Sequence, residues 1–203
     1  MVGIAGSGLT PAAQAAGVPA GGGGSNARSG PAAGGSVGTV SSITKSSFTM
    51  STATGLKVTV HEASSTKYEK GTKSTSASAV TTGEPILVLG TTNGDTITAT
   101  QVIVQSTSGK SATAAGVVAF QRGAPSTAKQ VGQIPTNYSE GSGTIVNGTT
   151  ANKATEAALA AYPGGVVDRV VKLSNGEYEV HTVGVNWPHH VFVNQQFKVV
   201  GAD

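Results

Sequence analysis

The chain carries few side chains that do chemistry, and their spacing decides what they can do. Of four histidines, three fall near the C-terminal end: His181, His189 and His190. Adjacent positions on a strand point to opposite faces, so His189 and His190 are not expected to share an ion. His181 can meet one of that pair across neighbouring strands if the register allows, but the spacing is not that of a zinc site. Glu177 and Glu179 alternate with His181 on one face of the same stretch, a spacing compatible with general acid–base work. No apolar pocket stands beside them in the sequence, so a solvated face is the expectation. Trp187, the only tryptophan, sits beside Pro188 in a hairpin loop and is expected to cover the end of a sheet. Were it exposed instead, it would be a contact residue of the type enriched at binding hot spots. Trp187, His189, His190 and Tyr178 are therefore the candidate partner contacts. Cysteine is absent, which excludes disulfides, thiol nucleophiles and Cys-ligated metals. Serine and threonine are abundant, but a hydroxyl nucleophile needs a positioned base, and the sequence supplies none. No catalytic residue, metal site or cofactor is expected, and the chain does not read as an enzyme.

The elements that must position these residues are small. Only 37% of the 203 residues are hydrophobic and 11% charged, with 29 glycines. That mix favours small β-rich units joined by flexible segments over one large core. The formal charge of +3 is not a basic surface. Residues 36–105 hold five lysines against four acids, and residues 145–203 hold four basic groups against five acids. The excess lies on Arg28, Lys110, Arg122 and Lys129, in tail and linker, which argues against a nucleic-acid partner. Lys67, Lys70 and Lys73 around Tyr68 form a weak basic cluster without aromatic neighbours on which bases could stack. No apolar run approaches the roughly 18 residues that span a bilayer.

In chain order, residues 1–35 are a Gly/Ala-rich tail expected to be disordered. Ala13-Gln14-Ala15 before Ala16-Gly17 has the form of a signal-peptide cleavage region, although the basic and long apolar stretches that precede one are missing. Export to the bacterial cell envelope or medium is the expectation. Residues 36–105 alternate with period two. Val37 to Ile43, Phe48 to Met50, Leu56 to His61, Pro85 to Gly90 and Thr96 to Val104 are strand candidates, and Asn93-Gly94 marks a hairpin turn. Five or six short antiparallel strands in seventy residues suit a small barrel, because closure removes exposed edges. Residues 106–143 read as a linker. Its apolar island Gly116 to Phe120 can add an edge strand to either neighbour, and Ile134 to Tyr138 can dock on the last unit. Residues 144–203 begin with an alanine-rich helix, 151–161, capped by Thr149 or Thr150 and stopped by Pro163-Gly164-Gly165. Strands at 166–173, 177–183, 190–193 and 197–200 follow, with a turn at Ser174-Asn175-Gly176. One helix on a three- or four-stranded antiparallel sheet results. The fold class is mainly β with an α+β unit.

Two resemblances attach to these residues. Gly38-Thr39-Val40, Phe48-Thr49, Val58-Thr59-Val60, Ser65-Thr66-Lys67-Tyr68, Val88-Leu89-Gly90 and Ala99-Thr100-Gln101-Val102 resemble a family of exported bacterial domains of unknown function. That resemblance implies an OB-like barrel and no known activity. Ala154 to Leu159, Tyr162 to Val167, Asn175 to Val180, Val191 to Asn194 and Phe197 to Val200 are similar to a PepSY domain. PepSY units occur in the propeptides of thermolysin-type metallopeptidases and as free-standing exported or membrane-bound proteins, and inhibition of peptidases is proposed for them. The family has no catalytic residues. No peptidase domain follows within these residues, so any inhibition is expected in trans. The first expectation is a non-enzymatic exported protein whose PepSY-like module offers a sheet edge or hairpin loops to an extracellular peptidase. The alternative is a cell-envelope ligand- or polymer-binding barrel with a structural PepSY-like unit, which a cleft lined by aromatics would favour and a filled barrel would not.

Overall fold

The structure is a computed structural model, and it describes residues 30–105, 116–125 and 128–203. Most of the expected tail, and residues 106–115 of the expected linker, lie outside the described residues. Alternating apolar positions give β1 (Ala32–Ile43), β2 (Ser47–Ser51), β3 (Lys57–Lys70), β4 (Lys73–Thr75), β5 (Pro85–Asn93) and β6 (Thr96–Val104). The strands β1 to β2, β2 to β3, β3 to β6, β6 to β5 and β5 back to β1 are paired. Five strands thus close into a barrel, every pairing antiparallel except β3 with β6, which is parallel. Gly94, in the turn between β5 and β6, has φ +60°, as the Asn-Gly signal requires. Phe48, Met50, Val58, Val60, Ile86 and Ile97 fill the interior at 1% exposure or less.

Three two-residue strands follow: β7 (Val118–Ala119), β8 (Val131–Gly132) and β9 (Thr144–Ile145). Then come α1 (Gly148–Ala161), β10 (Val166–Lys172), β11 (Tyr178–Val183), β12 (Val185–Trp187), β13 (His190–Val193) and β14 (Val199–Ala202). The fold is mainly β with one α-helix among the described residues. Strands β10, β11, β13 and β14 form an antiparallel sheet in that order. Helix α1 starts three residues before the expected position. Its N-cap is Asn147, without a side-chain capping bond, rather than Thr149 or Thr150. Ala151, Ala154, Ala158 and Leu159 face the sheet and are buried with Val167, Val170, Val180 and Val191.

The expected tail boundary at residue 35 and the separation of the two units differ from what the chain forms. Strand β1 begins at Ala32, inside the expected tail, and its first half pairs with both β5 and β10. One sheet therefore runs through barrel and C-terminal unit. Gly34 and Gly35 are what permit it. A Cβ on Gly34 would overlap the Val167 carbonyl oxygen, and one on Gly35 would overlap the Val88 carbonyl oxygen. Helix α1 is buried on its second side as well, because Leu87 and Leu89 of β5 share its apolar cluster. Small alanines let it lie between the two units. Barrel hydroxyls complete the joint. Ser36 donates to Gly165 O at 2.8 Å, and Thr52 and Thr54 donate to Gly164 O at 2.7 and 2.6 Å. The Pro-Gly-Gly stop of the helix is thus also an anchor.

The residues expected as linker pack as well. Strand β7 pairs with β12, and β8 pairs with β14. Ile134 and Tyr138 lie against Val171, Leu173 and Phe192 on the sheet face opposite the helix.

Candidate functional site

The sheet face away from α1 carries a polar layer that the sequence reading expected to be solvated. Strand β11 alternates as expected: Tyr178 and Val180 face the helix, while Glu179 and His181 face the other way. Glu179, however, is 2% exposed, because the segment holding Tyr138 covers it. His181 pairs in register with His190 of β13 and with Arg169 of β10. Its Nδ1 lies 2.6 Å from Asp168 Oδ1, and His190 Nδ1 lies 2.7 Å from Glu179 Oε1. The Tyr138 hydroxyl is 3.0 Å from the same His190 nitrogen. Arg169 is 4% exposed, 3.5 Å from Asp168 Oδ2, with its Nε unpartnered.

Both His189 and His190 approach His181, with ring centroids 6.4 and 5.2 Å away. The expected opposition of these neighbours fails because β13 starts only at His190, leaving His189 in the preceding turn. Its Nδ1 faces Thr182 O at 3.3 Å. Among the described residues no group of three or more His, Asp or Glu side chains is arranged to hold a metal ion. The acid–imidazole contacts instead use the Nδ1 atoms for internal bonds. Burial pushes the Tyr138 hydroxyl far above the ordinary tyrosine range, with the negative charges of Glu179, Glu140 and Asp203 adding and Arg169 opposing. Tyr138 therefore stays an O–H group throughout the ordinary pH range.

The other candidate contacts are packed. Trp187 is 1% exposed, and its Nε1–H donates to Lys129 O at 2.6 Å. Tyr162 meets it edge-on at 5.4 Å, and the Lys129 ammonium sits 4.3 Å above its ring. A tryptophan so placed holds the sheet end and the start of the 128–146 segment, and it offers no exposed contact face. Tyr178 is buried on the helix side and stacks on Phe197 at 5.6 Å. Ser36 lies in a Gly34-Gly35-Ser36-Val37-Gly38 run that has the spelling of a nucleophile elbow. Its hydroxyl is buried within a strand and bonded to Gly165 O, so it is structural.

The concave feature of this face is a groove of about 400 Å³ beside the polar layer. Pro135, Asn137 and Tyr138 form one wall, and Lys172, Leu173 and Asn175 the other. The adjoining sheet edge is blunt. Strand β8 covers the end of β14, and its Gly132 has φ +72°, which turns the chain out of strand geometry.

Sequence reasoning missed Asp168, Arg169 and Tyr138. The available signal was Asp168-Arg169 inside an otherwise apolar strand, obscured by a bulge between Val167 and Arg169 that shifts the alternation. No family model, curated protein or solved structure matches this chain.

Proposed function

We propose that this protein is a non-enzymatic, exported binding protein in which an OB-like barrel is fused to a PepSY-like helix-on-sheet unit. Its C-terminal groove engages a peptide segment of an extracellular peptidase in trans. The observation that carries the reading is the groove between the 135–144 segment and the β10–β11 turn. It combines Tyr138 and Leu173 with hydroxyl, amide and main-chain groups, a lining suited to an extended peptide. The neighbouring acids and imidazoles are bonded to one another rather than turned toward the groove as a free general base. The OB-like assignment is supported by the barrel order β1-β2-β3-β6-β5-β1 with its single parallel pairing. The PepSY-like assignment is supported by one helix crossing a β10-β11-β13-β14 antiparallel sheet. The filled barrel interior gives the ligand-binding alternative less support. The groove, not the blunt sheet edge, is the surface we assign to the partner.

The test is hydrolysis of a protein substrate by a thermolysin-type metallopeptidase, with the full chain added in increasing amounts. Saturable inhibition that is lost in Thr136→Trp, where an indole would fill the groove, supports the reading. Undiminished hydrolysis at tens of micromolar chain, roughly the upper end of a specific interaction, would remove it.

A further inference from the structure

The polar layer has a charge balance that the proposed binding role does not use. Asp168 and Glu179 bring two negative charges, and Arg169 brings one positive charge. With both imidazoles neutral the layer is one unit negative. A single proton on the His181–His190 pair makes it neutral, and a second makes it one unit positive. Their rings are 5.2 Å apart, so the second proton also meets the charge of the first. Because Glu179 and Arg169 are almost fully buried, solvent screens either imbalance poorly. Exposed groups at the rim matter less. Glu140 lies on the covering segment, Asp203 accepts from Gln130 at 3.3 Å, and His189 faces a carbonyl.

The covering segment, residues 128–146, is tied down at points that touch this layer. Tyr138 contacts His190 through its hydroxyl and Phe192 edge-on at 4.8 Å. Upstream, Lys129 O holds the Trp187 indole. Downstream, the Val146 amide donates to Val170 O at 3.0 Å.

We propose that Asp168, Arg169, Glu179, His181 and His190 form a two-sided pH latch. It holds the 128–146 segment closed when the histidine pair carries one proton and loosens the segment when the pair carries none or two. Imidazoles change charge between about pH 5 and 8, so closure peaks inside that window. Since this segment also forms a wall of the groove, the latch would set when the groove is intact. The latch itself does not depend on which partner the groove takes.

The charge count predicts opposite outcomes for two substitutions. His181→Gln leaves one titrating imidazole, so the layer passes only between one unit negative and neutral. The acid side of the closure profile then disappears. Asp168→Asn makes the layer neutral with both imidazoles unprotonated, so the alkaline side disappears. The experiment is hydrogen exchange of peptides within 128–146 on the full chain from pH 5 to 9. Protection is corrected for the intrinsic exchange rate, and Trp187 emission is read in parallel. Exchange in the barrel segment 57–61 reports any global opening. The expected result is a bell-shaped protection profile for the wild type, a one-sided profile for each variant, and no change for His61→Gln on the barrel surface. Should either variant fail to fold, the other still makes the test, and Tyr138→Phe must reduce the amplitude. A flat wild-type profile overturns the proposal, as does a bell that survives in the variants.

Discussion

Replacing Gly34 by alanine separates two opposite expectations for the start of the chain. If Gly34 belonged to a flexible tail, the change would be neutral, or would stabilise by about 0.4–1 kcal/mol through the unfolded chain. In the structure a Cβ at Gly34 overlaps the Val167 carbonyl oxygen of β10, and the Thr92 hydroxyl is 3.2 Å away. Both crowded partners on the β10 side are backbone atoms, so no rotamer change relieves them. The pairing of Gly35 with Val167 and Ser36 with Val166 must shift, loosening the packing of Leu89 and Val167 around α1. Overpacking of this kind costs about 1–3 kcal/mol, and a backbone clash belongs at the upper end. After subtracting the unfolded-state gain, a net loss of about 2 kcal/mol remains. With a urea slope near 2 kcal/mol per molar, the midpoint should fall by about 1 M. Gly30→Ala is the matched control, since nothing lies within 4 Å of a Cβ there. An unchanged or raised midpoint for Gly34→Ala would refute the β1–β10 joint.

Other perturbations report on separate parts of the molecule. Glu156 on α1 has its carboxyl pushed above the ordinary range by burial first, with the Glu69 charge adding and Lys153 opposing. A raised carboxylate favours the protonated form in the fold, so the cost is present at neutral pH and disappears as the pH falls. Glu156→Gln should therefore raise the denaturation midpoint at pH 7 and have little effect at acid pH. The Tyr68 hydroxyl is pushed up to about 12 by burial first and then by its bond to Glu62. This contribution to stability is complete below pH 10 and lost as the pH rises through about 12. An absorbance titration should move down in Glu62→Gln. Trp187→Phe leaves the Lys129 carbonyl without its donor and removes buried ring area. Thermal or urea denaturation should show a loss of about 2–3 kcal/mol. Calorimetric titration with Zn²⁺ should be flat, because the Nδ1 atoms of His181 and His190 are engaged by carboxylates. Tight saturable binding would contradict that arrangement.

What was legible in the sequence were features set by local pattern. Alternation located β2 and β5, Asn93-Gly94 marked its turn, and the alanine run with its Pro-Gly-Gly stop gave α1. What escaped depends on contacts distant in sequence. Ala32 to Gly35 looks like a spacer because small residues serve loose chains and very close packing equally well. Only the opposing carbonyls of Val167 and Val88 decide between the two. Glu179 reads as a solvated carboxylate because its cover, Tyr138, lies 41 positions earlier in a stretch with the composition of a linker. The bulge at Val167 to Arg169 hides which face Arg169 takes. His189 follows strand periodicity in the sequence but lies outside the strand, where that periodicity does not apply.

The most direct test of the binding account is a hydrogen-exchange footprint of the full chain with and without a thermolysin-type metallopeptidase, held inactive by an active-site inhibitor that leaves its surface free. The account predicts added protection at residues 135–144 and 172–175, the two walls of the groove, with barrel strands β2 and β3 unchanged. Protection confined to the barrel, or none at saturating peptidase, would contradict it.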